Sequence, residues 1–392
     1  MSEAPDTTDA STPQGACSEC LRHSWLLELL SVRLAYKARD RGRLLALLAL
    51  DDRELIEAIG GRRRQELRER YARFEPQEIS WSTAVEAICR HRRGYPRGLR
   101  LAGERVPRML YVAGAVQRLD EPDAQPIVAI VGARRATDYG MEMARSLARG
   151  LAVGGVTVAG SLADGIAVAA QEGALEVDGR TLTVIDGGLD VACPARRRAL
   201  YQRLRRTGCI ASELPCGCAT QNWGEIARER TLAGVAQLTI LVEADEDPGD
   251  LLGARVAKSL GRTVAAVPGR VTSPVSRGTH ALLMSGAALV RGPGDALELL
   301  YQGSNPSQGL DRARADHVRT GGSETSKASE LEPRLQAMLE RVGAGRDTPA
   351  KLTAESADVG ETLLALSELE LMGLLTRGDG GRYVPRQSLA GR

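Results

Sequence analysis

The sequence predicts a doubly wound parallel α/β sheet carrying a small N-terminal helical domain and a C-terminal winged helix, and three observations support the sheet. Short apolar, β-branched runs recur along the chain: IVAIVG (127–132), VTVAGS (156–161), TLTVIDGG (181–188), CIASELP (209–215), LTILVEA (238–244), TVAAVPG (263–269) and AALVRG (287–292). Most of them end on glycine or another turn residue. Segments of helical length, such as MEMARSLARGLAVGG, ARRRALYQRLRRTG and DLLGARVAKSLGR, separate most of them. Strand, turn and helix in repetition are the pattern of βαβ units. Right-handed crossovers then wind such units into a parallel, Rossmann-like sheet.

The flanking elements follow in order. Residues 1–20 open on MSEAPDTTDASTPQG, polar and acidic, and are expected to be a disordered leader without the apolar core of a signal peptide. Residues 21–95 read as a helical module: Leu26, Leu27, Leu29, Leu30, Leu44, Leu45, Leu47 and Leu48 form apolar faces, and LALDDRELIEAIGG closes on a Gly pair. A basic connector with Pro96 leads into the sheet domain, 96–301, where Leu99 to Val112 adds strand-like residues. Residues 302–328 are polar, Gly/Ser-rich and aperiodic, as a linker is. In 329–392, helical stretches at Leu331–Leu339, Thr348–Ala354 and Val359–Leu375 precede two short strands around Gly-Asp-Gly-Gly, which together describe a winged helix.

Composition bounds the function. With 43% hydrophobic and 26% charged residues and no long apolar run, the chain reads as cytoplasmic and without a membrane span. Seven cysteines, an odd and scattered set, argue against a disulfide framework. A net charge of +2 does not by itself announce a nucleic-acid binder. Arginine does cluster at Arg62, Arg63 and Arg64 and at Arg90, Arg92 and Arg93, either as a footprint for phosphates or as the solvated face of helices.

Ligands of an open α/β sheet bind beyond the carboxyl ends of its strands. The richest loop there is Gly132 to Gly140, where Gly132 allows a sharp turn, the following helix offers N–H groups, and Arg134 and Arg135 add charge. Gly160, Ser161 and Gly165 form a second such loop, with Asp164 opposing a phosphate; others are Asp186-Gly187-Gly188, Gly269 beside Pro268, and Gly278 to His280. Each glycine alone suits a tight turn, but five such loops on one edge point to a phosphate site. Tyr139, Tyr201 and Trp223 are the aromatic candidates for base stacking.

No catalytic constellation emerges. Glu213 and Glu243, each near a strand end, are the candidate catalytic carboxylates, but acids there more often cap a neighbouring helix or bond loop amides. Cys17, Cys20 and His23 supply three donors where a structural zinc wants four, so neither metal nor cofactor is expected.

The ordered blocks resemble the DNA-processing protein A (DprA/Smf) family over about residues 125–300. VGARRATDYG is similar to its G-S/A-R-x-A-S-x-Y-G, VAGSLADGIAVAAQEGAL to S-G-L-A-R-G-I-D-x-x-A-H-x-x-A-L, and TLTVIDGGLDVACP to T-I-A-V-L-G-x-G-L-D-x-x-Y-P. ASELPCG, RERTLAGVAQLTILVEA and AVPGRVTSPVSRGTHALLMSGA match later blocks, and LLALSELELMGLLTRGDGGRYVPR resembles the winged helix of many members. The resemblance implies a non-catalytic, homodimeric protein that binds single-stranded DNA and helps a RecA-type recombinase load during transformation or recombination. It carries DNA contact onto Arg134, Arg135, Arg228 and Arg230 and the loop residues Gly132, Tyr139, Gly140, Gly160, Ser161, Gly165, Gly269, Gly278 and His280. Departures fall on the loops: Asp164 replaces a cation, Ala167 an Asp, Gln171 a His and Glu229 an Asn. A carboxylate in place of a phosphate-facing cation costs about 1–3 kcal/mol of binding. The alternative is a phosphoribohydrolase on a related fold, whose P-G-G-x-G-T-x-x-E loop has no counterpart here.

Overall fold

The structure, a computed structural model, describes residues 16–75, 85–92, 94–115, 125–190, 195–219, 222–247, 249–301 and 333–343, with scattered positions between 352 and 385. Most of the expected leader and all of the expected linker lie outside the described residues. The described residues fall into two compact units divided at His317 and Val318.

Seven parallel strands form the heart of the first unit, and they coincide with the seven runs. These are β3 (Ile127–Val131), β4 (Thr157–Gly160), β5 (Thr181–Ile185), β6 (Cys209–Ser212), β7 (Leu238–Leu241), β8 (Thr263–Ala266) and β9 (Ala288–Leu289). Two more, β1 (Glu86–Cys89) and β2 (Met109–Gly114), extend the sheet antiparallel beyond β6. The spatial order is β1-β2-β6-β5-β4-β3-β7-β8-β9. The chain thus winds outward from β3 to β6, returns, and winds the other way from β7. The neighbours β3 and β7 bound the crevice where a parallel sheet binds its ligands.

Both faces of the sheet are covered, which is why its central strands are apolar throughout. Val128 and Ile130 of β3 pack in one core with residues of α7 (Asp138–Val153) and α8 (Ile166–Glu176). Ala129 and Val131 belong to a second core, with residues of α10 (Asn222–Val235) and from the connector.

The sequence boundaries shift at both ends of the helical module. Its first helix, α1 (Ser18–Leu29), begins inside the expected leader, and Ala16 and Cys20 are buried. Helices α2 (Ser31–Lys37), α3 (Arg41–Leu48), α4 (Asp52–Ile59) and α5 (Arg64–Ala72) follow, α4 entered through an Asp51/Glu54 capping box. β1 then falls within the bounds of the expected module but beyond the apolar faces that carry its helices, and its four residues are too few to show a period. Leu99 lies not in a strand but in α6 (Arg97–Ala102). Leu26, Leu34, Leu44 and Leu55 share one continuous core with Tyr111 of β2, Ile210 of β6 and Trp223 and Ile226 of α10. Polar links reinforce it: Trp223 Nε1 donates to Ser31 Oγ at 2.8 Å, and Ser24 Oγ lies 2.9 Å from the Tyr111 hydroxyl. Arg63 pairs with Glu66 and Arg64 with Glu57, so the run at Arg62 to Arg64 behaves largely as a solvated, ion-paired helix face.

The second unit contains the helix Pro333–Gly343 and the antiparallel pair β10 (Leu375–Arg377) and β11 (Tyr383–Pro385). Leu335, Met338, Leu366, Leu369, Leu375 and Tyr383 form its core. Most of the other two expected helices lies outside the described residues.

His23 is committed to Asp52: its Nδ1 lies 2.5 Å from Asp52 Oδ1, Tyr71 donates to Oδ2 at 2.6 Å, and Arg108 approaches at 3.3 Å. Burial works against the Asp52 charge, but His23, Tyr71 and Arg108 outweigh it and hold the carboxyl below the usual aspartate range. A depressed carboxyl contributes stability above its unfolded pKa and loses it as pH falls through the folded one. Asp52→Asn is therefore expected to cost about 3 kcal/mol near neutral pH. The gap to the parent protein should close once the pH drops below the ordinary aspartate range. Urea unfolding across acid and neutral pH measures this, and a pH-independent difference would refute it.

Candidate nucleic-acid interface

Glu243, two residues beyond β7, organises the crevice. Its carbonyl accepts from Ala133 N at 2.6 Å, which pins the first loop to the end of β7. Its carboxylate is buried and takes the Thr137 amide at 2.8 Å and the Thr137 hydroxyl at 2.6 Å. Thr137 is the N-cap of α7 and accepts from Gly140 N at 3.1 Å. A side chain at Gly140 would drive its Cβ into the Glu243 carboxylate, so only glycine fits. The N-terminus of α7, expected to offer open N–H groups to a phosphate, thus already faces a protein carboxylate. That favourable charge–dipole contact is made within the fold.

The second loop lies against the first. Gly165 adopts φ +79° beneath the Ala133 and Arg134 carbonyls, and Ile166 N donates to Ala133 O at 3.3 Å. Gly160 ends β4, and a Cβ there would meet the buried Gln171. Ser161 is 4% exposed; its hydroxyl accepts from Ala163 N at 3.3 Å and borders the crevice. Asp164 does not stand alone as a repelling charge. It pairs with Arg196 at 2.8 Å and with Arg197, and Arg197 is the chief cause of its lowered pKa. Two guanidinium groups thereby sit on one carboxylate beside the loop. Sequence reasoning missed this pair because 32 residues separate Asp164 from Arg196.

The remaining predicted residues divide between floor and rim. Arg228 is buried among Asp186 (3.0 Å), Glu229 (2.9 Å) and Glu225 (3.8 Å). Arg230 is 1% exposed, pairs with Glu213 and donates to Leu48 O at 2.9 Å, tying α10 to the helical module. Direct phosphate contact by Arg228 and Arg230 is at odds with this burial, since both guanidinium groups are enclosed by protein acceptors. Glu213 and Glu243 are likewise occupied, by Arg230 and Thr137. Arg134 is about half exposed and holds Glu225 at 2.6 Å, while Arg135 is exposed without an ion pair among the described residues. Tyr139 is 52% exposed, its hydroxyl 3.4 Å from Pro268 O, which links the first loop to the one after β8. There His280 Nε2 lies 3.3 Å from the Gly269 amide nitrogen, and Gly278 N donates to Ala244 O at 2.9 Å. Arg270, part of the predicted Pro268-Gly269-Arg270 loop, is exposed on this side, as is Arg277, which sequence reading passed over.

The floor is acidic: Glu225, Glu229 and Asp250 line it with Arg134 and Arg228. Burial, followed by the neighbouring Asp247 and Asp245, pushes the Asp250 carboxyl up. Outside this floor Arg135, Arg196, Arg270 and Arg277 are exposed. Beside it a cleft of about 930 Å³ opens between α3, α10 and α11 (Leu252–Ser259), with Arg39, Arg41 and Arg255 on its walls.

Comparison with known proteins gives a consistent result. Residues 86–301 match the family described as DNA recombination-mediator protein A. A putative DNA processing protein DprA of Mycobacterium tuberculosis is 34% identical over 338 residues, covering 85% of this chain and 79% of that protein. Protein Smf of Escherichia coli K12 is 32% identical over 294 residues, covering 73% and 74%. The X-ray structure of DprA from Streptococcus pneumoniae superposes with a TM-score of 0.57 at 26% identity, covering 72% of this chain and 98% of that one.

Two substitutions test the clasp at the floor. Glu243→Ala leaves the Thr137 amide and hydroxyl without their acceptor and is expected to cost about 1–3 kcal/mol. Gly140→Ala forces a Cβ onto that carboxylate and is expected to cost about 1–3 kcal/mol. Chemical denaturation should find the double variant less than additive, since both changes break one contact; full additivity would refute the coupling.

Proposed function

The chain belongs to the DNA recombination-mediator protein A family, whose role is DNA processing, and we propose that it does so by binding single-stranded DNA along the rim of the carboxyl edge. The observation that carries this reading is the cluster of arginines around the first and second loops. Arg134, Arg135 and Arg196 are exposed, Arg197 is half-buried beside them, and the exposed ring of Tyr139 shares the rim. Guanidinium groups hold the backbone phosphates, and Tyr139 offers a stacking surface that tolerates any base. Arg228 and Arg230 act from beneath, holding the acids and the module in place. Such binding is sequence-tolerant and salt-dependent.

The protein works as a binder, not a catalyst: its two strand-end carboxylates are engaged by Arg230 and Thr137. In this reading it is cytoplasmic; among the described residues no helix is long and apolar enough to cross a membrane. It acts as a homodimer that presents the strand to a RecA-type recombinase during transformation or another recombination process. Support for self-association comes from the open sheet edge at β9, whose Leu289 is 49% exposed, and from Met284 at the end of the helix Arg277–Met284, 89% exposed. The second unit acts as a winged helix.

Fluorescence anisotropy with a labelled oligothymidylate at about 50 and about 200 mM salt tests the binding. Arg134→Ala with Arg196→Ala should weaken affinity about tenfold or more. The log–log salt slope should flatten by about 0.7 for every phosphate that a variant no longer neutralises. Arg230→Ala should instead lower stability by about 3–5 kcal/mol by stranding Glu213. Binding that ignores both salt and the rim variants would overturn the proposal. Sedimentation of Leu289→Arg tests the dimer; a parent protein that is monomeric at all concentrations would refute it.

A further inference from the structure

The Cys-x-x-Cys at the start of α1 acquires in three dimensions the partners that it lacks locally. Cys17, Cys20, Cys89 and His91 bring three sulfurs and one imidazole nitrogen together, all within 4.8 Å of one another. Cys17 Sγ and Cys20 Sγ lie 3.3 and 3.4 Å from the same atom, His91 Nδ1. A tetrahedral zinc, with bonds of about 2.3 Å to sulfur and about 2.0 Å to nitrogen, needs donors roughly 3.5–3.8 Å apart.

The backbone aims each donor at that point. Cys17 is the N-cap of α1, yet its side chain caps no amide, which leaves the sulfur free for the cluster. Cys20 stands three residues on, in the first helical turn, where that spacing returns its side chain to the same face. Cys89 ends β1, and Arg92 N donates to Cys89 O at 3.0 Å, a turn that folds His91 back over the strand end. His23, the nearer histidine in sequence, points elsewhere, to Asp52.

We propose that Cys17, Cys20, Cys89 and His91 form a structural zinc site that staples the first helix of the N-terminal module to the edge of the sheet. Four protein donors complete a tetrahedron and leave no position for substrate, so the ion is structural and not catalytic. Zinc displaces the thiol protons, which pass to solvent, and nothing is oxidised or reduced. A disulfide among these cysteines would leave one sulfur over and the imidazole without a role. The site stands apart from the DNA rim and does not depend on that reading.

The full chain, purified with reductant and without chelator, should contain one zinc per molecule by mass spectrometry of metals. A chelator should lower the melting midpoint, and zinc alone should restore it. His91 is exposed, so His91→Ala should fold with an unchanged circular dichroism spectrum. It should lose zinc to a chromophoric chelator at about tenfold lower concentration, and its melting midpoint should move much less with chelator. Four outcomes would overturn the proposal: zinc below about a tenth of an equivalent with no response to added zinc; iron in its place; a Cys17, Cys20 or Cys89 disulfide in protein trapped with iodoacetamide; or His91→Ala retaining zinc like the parent protein.

Discussion

The buried carboxylate of Glu243 joins the two halves of the sheet where they part company. β3 and β7 send their following chains in opposite directions, so nothing covalent holds their ends together at the crevice. Glu243 does this from β7 by taking both the amide and the hydroxyl of Thr137, the residue that starts α7. Gly140 is a glycine for that reason, and the second loop rests through Gly165 on the backbone so fixed. The edge is a scaffold with its own internal electrostatics, assembled before any ligand is considered.

That scaffold keeps its acids inward and its cations outward. Arg228 is neutralised by Asp186, Glu225 and Glu229, and Arg230 by Glu213, all within protein. Breaking either set would strand a buried charge, which makes these arginines structural. The departures from the resembled family motifs look different in this light. Glu229 lies against Arg228, and Asp164 gathers Arg196 and Arg197. A carboxylate that recruits two arginines leaves its neighbourhood positive, where bare loop chemistry suggests a negative one.

The seven parallel strands were legible because a buried run bounded by glycine and a helix is a local pattern, and each run became a strand. The reading of Glu243 as a strand-end acid that bonds loop amides was legible too, since it takes the Thr137 amide, whereas the Arg230 partner of Glu213 was not. What depends on distance in the chain was not legible. β1 is four residues long and gains its identity only from its ladder with β2. Arg196 and Arg197 matter through Asp164, and Cys89 and His91 through Cys17 and Cys20. Arginine in a motif likewise says nothing of depth: Arg134 and Arg230 read alike in sequence, yet one is half exposed and the other buried.

Helix α10 is shared between two neighbours that make separate demands on it. Arg228 and Arg230 stand two residues apart, about 200° around the helix axis. One therefore serves the crevice floor and the other, with Trp223, the N-terminal helices. Neither neighbour can drift in sequence without answering to the same fourteen residues. A chimera that exchanged the helical module between relatives would have to exchange this helix with it, and would import a new crevice floor in doing so.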